Sequence, residues 1–233
     1  MRTHRDPQTL ADAPSVLDRM ARILAARGID QQAVDALPDE PYSPEEALSA
    51  GLPPRYRDAV ATNPQVLAWV RQVAAQAVAP SLGARRQVTT GPSLLMAGVV
   101  GAGKTHEAYG AVRRLVEAGI GVRWRATTAA DLYAELRPST GTDSERTLAA
   151  YSRVPLLILD DLGAAKGSEF VEEQTYRLIN RRYNNLLPTL ITTNLPIKDL
   201  RTCLGDRVTS RLAQMTTRVA FEPVDHRRLQ RAA

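Results

Sequence analysis

The sequence predicts an α/β fold in which helices cover both faces of a parallel β-sheet. From residue 93 onward, short apolar runs alternate with amphipathic stretches of helical spacing. Apolar runs of about five residues are typical of strands that are buried on both faces of a sheet. A glycine-rich turn also joins the first apolar run to the helical stretch after it. Together these observations favour βαβ units with right-handed crossovers.

The composition is that of a globular protein. Hydrophobic residues make up 44% and charged residues 24% of the 233 residues, which excludes disorder over the whole chain. No apolar run has the length of a transmembrane helix, and the first residues lack the apolar stretch of a secretory signal. The single cysteine, Cys203, excludes an internal disulfide and a multi-cysteine zinc site. We therefore expect a cytoplasmic protein with no membrane partner.

The net charge of +5 leaves the type of partner open. Almost all basic residues are arginines, because lysine occurs only at Lys104, Lys166 and Lys198. Arginine enrichment favours contact with nucleic acid. A GC-rich genome produces the same bias, so the charge alone does not identify a nucleic-acid-binding protein.

Residues 1–50 predict a small helical segment. Apolar residues follow one helical face over residues 15–27, and Gly28 is suited to end that helix. Prolines 38, 41 and 44 then interrupt the pattern, and residues 43–46 have the character of a helix start. Since the segment is too short to build a sizeable core, we expect it to dock onto a partner. Residues 51–233 are expected to form the main domain.

The elements of the main domain follow in order along the chain. Residues 51–56 predict a rigid linker with two prolines, and residues 64–79 predict a helix with apolar residues on one face. After that helix, strands are predicted over residues 93–99, 121–127, 156–160 and 189–193, and helices over residues 105–119, 129–137 and 172–185.

A phosphate-binding loop is predicted between the first strand and the next helix. Gly101 and Gly103 can adopt positive φ, which lets backbone N–H groups turn toward an anion. The helix that begins near Lys104 adds its N-terminal dipole, and the lysine brings a positive charge to the β- and γ-phosphates. The alternative is a chance glycine turn. A chance turn does not account for the full G-x-x-x-x-G-K-[ST] pattern between a predicted strand and a predicted helix. The motif comprises Gly98, Val99, Val100, Gly101, Ala102, Gly103, Lys104 and Thr105.

Polar residues are predicted at the ends of two further strands. Asp160 and Asp161 follow four apolar residues and should reach the carboxyl edge of the sheet, where α/β proteins bind ligands. Asp160 is expected to join Thr105 in holding Mg²⁺, and Asp161 to orient the attacking water. Asn194 ends the next strand and is expected to contact the γ-phosphate or the water. A solvated Asp-Asp turn and a simple turn at Asn194 are the alternatives.

These motifs resemble those of the DnaC/IstB-like branch of the AAA+ ATPases. The resemblance covers most of residues 51–222 and rests on GVVGAGKT, LLILDDLGAAKGSEF, INRRYNNLLPTLITTNLP and GDRVTSRL, with matching spacing. It implies a P-loop NTPase sheet of five parallel strands in the order 5-1-4-3-2, without a C-terminal lid domain. Lys104 and Thr105 then belong to Walker A, Asp160 and Asp161 to Walker B, and Asn194 is sensor 1. Most AAA+ proteins carry Glu in place of Asp161, so slow ATP turnover is expected from the shorter side chain, although the Asp-Asp-Leu-Gly pattern is common in this branch.

Two arginines near the end of the chain are candidates for action between subunits. Arg207 and Arg211 are four residues apart, so they share one face of a helix. The resemblance implies that Arg211, with Arg207 as the second candidate, reaches the γ-phosphate of a neighbouring subunit. The alternative is two solvated arginines, with Asp206 or a neighbouring carboxylate as a pairing partner. An arginine that reaches the nucleotide of a neighbouring subunit is an arginine finger. Such a finger implies an ATP-dependent homo-oligomer.

Four weaker signals remain open at this point. His106 directly follows the loop and is counted with the nucleotide-binding segment, although a place on the helix surface is expected for its side chain. The resemblance implies that Tyr56 lies beside adenine, whereas packing of the linker is the alternative. Trp124 stacks on bases or, as we favour, packs under a helix. Residues 127–150 correspond by resemblance to helices that line a DNA-facing pore, with Arg137 and Arg146 as basic candidates, or form an ordinary crossover.

The resemblance implies hydrolysis of Mg-ATP by a loader of a replicative DNA helicase onto single-stranded DNA. In that case residues 1–50 hold the helicase, and their lack of cysteine excludes a zinc-binding arm. The first alternative is an ATPase helper of transposition whose partner is a transposase. The second is a nucleotide-dependent regulatory module that binds protein only.

Overall fold

The computed structural model describes residues 48, 51–138, 143–165, 167–196 and 198–222. The helical segment predicted within residues 1–50 lies outside these ranges except for Leu48, and the domain boundary at residue 51 stays a prediction. The strands are β1 (Ser93–Ala97), β2 (Trp124–Thr128), β3 (Leu156–Asp160), β4 (Thr189–Thr193) and β5 (Thr216–Ala220). The helices are α1 (Pro64–Gln76), α2 (Lys104–Glu117), α3 (Ala129–Leu136), α4 (Ser144–Arg153), α5 (Glu169–Asn184) and α6 (Leu200–Met215).

The five strands form one parallel sheet in the order β2-β3-β4-β1-β5. This order is the predicted 5-1-4-3-2 read from the other edge, so the predicted fold is confirmed. The register pairs Leu159 with Ile191, and Ala97 with Thr193. The carboxyl ends of β1, β3 and β4 therefore lie side by side, which brings the phosphate loop, the two aspartates and Asn194 to one edge of the sheet.

The strands that the sequence predicts most clearly are those that are most buried. Every residue of β1 and β4, and residues 156–159 of β3, are buried, because helices cover both faces of these strands. In β5 only Val219 is buried, as expected for an edge strand. None of the helices in the described ranges has the length and apolar character needed to cross a membrane.

The linker before α1 crosses the helix that follows the phosphate loop. The carboxylate of Glu107 accepts hydrogen bonds from the backbone N–H groups of Thr62 (3.0 Å) and Asn63 (3.1 Å). The Nε2 atom of His106 accepts one from the N–H of Val60 at 3.2 Å. Asn63 in turn caps α1, since its Oδ1 accepts from the N–H of Gln65 at 2.9 Å. The side chains that follow the phosphate loop thus hold the linker in place.

A glycine in the middle of α2 makes this crossing possible. A Cβ at Gly110 would overlap the backbone nitrogen of Ala61 and lie 2.5 Å from the carbonyl carbon of Val60. Alanine at this position would favour an isolated helix by about 1 kcal/mol over glycine. The linker backbone occupies that space instead, so the packing overrides the helix propensity.

We expect Gly110→Ala to destabilise the protein. Overpacking costs about 1–3 kcal/mol, and an overlap with backbone atoms belongs at the upper end of this range, above the gain of about 1 kcal/mol in helix propensity. Urea unfolding of the variant and of the wild type measures the difference in free energy of unfolding. Glu173→Ala, at an exposed position of α5, is the control and should leave stability almost unchanged. Equal or higher stability of the Gly110 variant would contradict the tight crossing.

A buried arginine joins the ends of α4, α5 and β4. The guanidinium of Arg182 donates to the carbonyls of Tyr151 (2.9 Å), Val154 (2.8 Å) and Pro188 (2.8 Å) and to the hydroxyl of Thr189 (2.8 Å). Burial lowers the pKa of this arginine to about 9, because the charged form loses its hydration. Arg182 therefore has a structural role.

Candidate nucleotide-binding site

The cradle is the loop between β1 and α2, residues 98–103. Gly101 and Gly103 have φ angles of 85° and 86°, in the left-handed region that the sequence predicts for them. Gly103 is also the N-cap residue directly before α2, so the N-terminus of that helix opens onto the loop. These features are those of an anion-binding site.

The strand that follows α6 supports the base of this loop. Phe221 donates its backbone N–H to the carbonyl of Ala97 at 2.8 Å. A Cβ at Gly98 would lie 2.8 Å from the Cβ of Phe221, so glycine is needed where the loop leaves β1. The sequence analysis missed Phe221, because nothing in the local pattern connects it with a loop more than a hundred residues away.

Lys104 lies inside the loop. Its Nζ donates to the carbonyl oxygens of Gly98 at 2.9 Å and Val99 at 2.8 Å, and to Oδ1 of Asn194 at 2.8 Å. The side chain is buried, so its charge is partly shielded from water. The structure therefore brings together the predicted Walker A lysine and the predicted sensor residue, which are 90 positions apart in sequence.

Thr105 and Asp160 are neighbours as predicted. The hydroxyl of Thr105 donates to the carboxylate of Asp160 at 2.9 Å. Thr192 of β4, which the sequence analysis did not single out, donates to the same carboxylate oxygen at 2.5 Å. A threonine hydroxyl beside a carboxylate offers the hard oxygen ligands that Mg²⁺ prefers. These residues could hold a magnesium ion, and the roles of Thr105 and Asp160 as its protein ligands stay a prediction.

Asp161 occupies a strained turn directly after β3. Its φ of 57° lies in the left-handed region, which is unfavourable for a residue other than glycine. Two contacts hold this turn: the N–H of Asp161 donates to the hydroxyl of Thr192 at 2.9 Å, and Oδ1 accepts from the side-chain amide of Asn194. Asn194 thus bridges Lys104 and Asp161.

Aromatic residues fill the space between the linker and α2. Tyr56 stacks on Tyr109 with ring centroids 4.6 Å apart, and Tyr109 meets the ring of Trp124 edge-on at 5.9 Å. Burial, followed by the charge of Asp160, raises the pKa of Tyr109 to about 12. Trp124 packs against α2, as we favoured, and Tyr56 packs the linker. Contact between Tyr56 and adenine stays a prediction.

Arg125 of β2 faces away from this aromatic group, because successive side chains of a strand point to opposite faces. The guanidinium of Arg125 lies 5.0 Å from the ring centroid of Tyr151 in α4, on the opposite face of the strand from Trp124. Arg137 and Arg146 are both exposed. The described residues of this segment include α3 and α4, and the proximity of these helices to DNA stays a prediction.

Arg207 and Arg211 lie on one face of α6, as their spacing predicts. The guanidinium of Arg207 lies 3.9 Å from the ring centroid of Tyr176, and that of Arg211 lies 4.6 Å from the ring centroid of Tyr183. Asp206 instead pairs with Arg201, whose Nη2 is 2.8 Å from its Oδ2. The described ion pair of Asp206 is thus with Arg201 and not with a candidate finger, while the alternative of two solvated arginines stays open.

Comparison with known proteins identifies the family. The model for the IstB-like ATP binding protein family matches residues 70–220. The chain belongs to this family. It is 28% identical over 123 residues to the replicative helicase loader DnaC of Escherichia coli (strain K12), a match that covers 52% of this chain and 49% of DnaC. The chain thus spans about half the length of the curated relatives it matches.

Solved structures give the same assignment. A crystal structure of the DnaC helicase loader is 26% identical, with a TM-score of 0.59, and covers 73% of this chain and 100% of its own. A crystal structure of DnaI has a TM-score of 0.58 at 20% identity, covers 78% of this chain and 95% of its own, and shows the shared fold alone. The predicted DnaC/IstB-like AAA+ family is confirmed, and ATP is the nucleotide that this family binds.

Proposed function

We propose that this IstB-like protein hydrolyses Mg-ATP and uses the cycle to load a replicative DNA helicase onto single-stranded DNA. The observation that carries hydrolysis is the meeting of five side chains at one edge of the sheet: Lys104, Thr105, Asp160, Asp161 and Asn194. The similarity to the DnaC helicase loader in sequence and structure supports the loading step.

The residues of the cradle would bind and neutralise the triphosphate. The Nζ of Lys104, now bonded to two loop carbonyls, would exchange those partners for oxygens of the β- and γ-phosphates. Thr105 and Asp160 would hold Mg²⁺. The metal, when bound, would neutralise negative charge that develops on the phosphate oxygens.

Asp161 and Asn194 are proposed to handle the attacking water. The amide of Asn194 donates to Oδ1 of Asp161 and thereby fixes the rotation of the carboxylate. We assign the second oxygen, Oδ2, to the water that attacks the γ-phosphate in line. Because aspartate is one methylene shorter than glutamate, this geometry supports slow turnover.

Arg211 is proposed to complete the site from a neighbouring subunit, with Arg207 as the second candidate. Its guanidinium would stabilise charge on the γ-phosphate in the transition state. An ATP-dependent homo-oligomer follows from this role, because each site would be incomplete without its neighbour. The match to an IstB-like family keeps a transposition helper as the second candidate function.

The full chain should capture a replicative helicase rather than a transposase from purified mixtures of the two. With ATP, it should transfer that helicase to circular single-stranded DNA, and the affinity for the DNA should fall as salt rises. Lys104→Ala is the control and should lose transfer. Preferential capture of the transposase would favour the second candidate, and capture of helicase without any DNA binding would favour a protein-only regulator.

A further inference from the structure

We propose that Tyr176 and Tyr183 of α5 are positioning residues that hold Arg207 and Arg211 ready for a neighbouring subunit. The inference rests on the proposed finger role of these arginines and adds the residues that would make it effective. It assigns to α5 a second task besides packing, namely to present the finger-bearing face of α6.

Helices α5 and α6 contact each other through two pairs of tyrosine and arginine side chains. Tyr176 and Tyr183 are seven residues apart, which is about two helical turns, so they lie along one stripe of α5. Arg207 and Arg211 are one turn apart on α6. Each guanidinium lies over one ring, at 3.9 Å for the first pair and 4.6 Å for the second. Distances of this size are typical of cation–π pairs.

Stacking leaves the arginines able to bind phosphate. A guanidinium contacts an aromatic ring through its face, whereas its N–H donors point outward in its plane toward a phosphate. The tyrosine can therefore stay in place while the donors engage an anion. Among the residues that the structure describes, neither Arg207 nor Arg211 has an ion pair that would compete for those donors.

Further contacts restrict the same side chains. The adjacent guanidinium of Arg207, followed by the charge of Arg211, lowers the pKa of Tyr176. The Nη1 of Arg211 also donates to Oε1 of Gln214 at 3.2 Å. An exposed arginine has many rotamers, and restricting them before the subunits meet reduces the entropy lost on assembly.

Helix α5 also lies beside the point at which the finger-bearing part of α6 begins. Gly205 has a φ of 77° and divides α6 into two helical parts. A Cβ at Gly205 would lie 2.5 Å from the carboxylate carbon of Glu172 in α5, so this helix occupies the space beside the break. The same α5 follows the loop that carries Asp161. It therefore connects the Walker B segment of one subunit with the fingers that this subunit offers to another.

Paired substitutions at Tyr183 test the inference. Tyr183→Leu removes the aromatic face but keeps an apolar side chain, and we expect kcat to fall about fivefold with ATP affinity unchanged. Tyr183→Phe keeps the ring and should retain the wild-type kcat. An unchanged kcat for the leucine variant would overturn the inference. An increased kcat would also overturn it, because it would show that stacking keeps Arg211 away from the neighbouring subunit.

Mixed assemblies separate positioning from a local structural defect. Tyr183→Leu subunits have an intact ATP site, whereas Asp161→Asn subunits have intact fingers but cannot activate water. Because the finger acts on the neighbour, mixing the two should restore ATPase activity above the sum of the separate proteins. If the mixture stays at that sum, Tyr183 does not act through the finger and the inference is wrong.

A mixture of Arg211→Ala with Asp161→Asn distinguishes the inference from the proposed function. Recovery in this mixture shows that the finger acts between subunits. Recovery here without recovery for Tyr183→Leu would reject the positioning role alone. No recovery in either mixture would show that Arg211 does not act on a neighbouring subunit. Both the inference and that part of the proposed function would then be wrong.

Discussion

Replacing Lys104 with alanine is expected to weaken the binding of ATP strongly. The Nζ of Lys104 lies within 2.9 Å of two carbonyl oxygens of the phosphate loop, at the place where β- and γ-phosphates are expected. Hydrogen bonds to a charged partner contribute about 1.5–3 kcal/mol each, so loss of this cation should weaken ATP binding by about two orders of magnitude. Isothermal titration calorimetry with Mg-ATP measures the change in Kd.

The exposed Lys198 provides a matched control for this substitution. Lys198→Ala removes the same charge from a site outside the phosphate loop and should leave the Kd for ATP unchanged. Circular dichroism of the Lys104 variant should show the wild-type helix content, because the sheet does not depend on the lysine. Wild-type affinity of Lys104→Ala would remove the basis of the proposed nucleotide site.

The centre of the fold was predictable because burial leaves a direct trace in sequence. Strands β1, β3 and β4 are covered on both faces, so each appears as an uninterrupted run of residues that favour strands. Their order in the sheet came from the family resemblance and not from the runs themselves. Once the strands are parallel and adjacent, the predicted meeting of Lys104, Asp160 and Asn194 follows from their positions at the strand ends.

The residues that the sequence analysis missed act through contacts distant in sequence. Thr192 looks like an ordinary strand residue, yet its hydroxyl contacts both Asp160 and the backbone of Asp161. Glu107 looks like a surface residue of a helix, and its partners Thr62 and Asn63 are about 45 positions away. Gly110 did carry a signal, because glycine is unfavourable within a helix and its presence indicates a close neighbour.

Local sequence patterns predicted the shared helix face of the two candidate fingers but not their contacts. The i, i+4 spacing of Arg207 and Arg211 correctly placed them on one face of α6. Their aromatic partners, Tyr176 and Tyr183, lie on another helix, and only the packing of α5 against α6 reveals them. Helical spacing predicts which side chains share a face, but it does not predict what that face meets.

Arg211→Ala is expected to keep ATP binding and to lose hydrolysis. The cradle that binds the phosphates comes from one subunit, whereas Arg211 is proposed to act on the neighbour, so calorimetry should give an unchanged Kd for ATP. An arginine finger contributes about 10³–10⁵-fold to kcat, and the variant should lose most of this factor. Steady-state release of phosphate at several protein concentrations measures the loss.

Arg201→Ala is the control on the same helix. Arg201 forms an exposed ion pair with Asp206, and pairs of this kind contribute little to stability. This variant should keep the wild-type kcat, and its activity per subunit should still rise with protein concentration as subunits assemble. In Arg211→Ala that rise should disappear, because assembly no longer supplies the missing charge. Wild-type turnover of Arg211→Ala, with the rise intact, would show that another group stabilises the transition state.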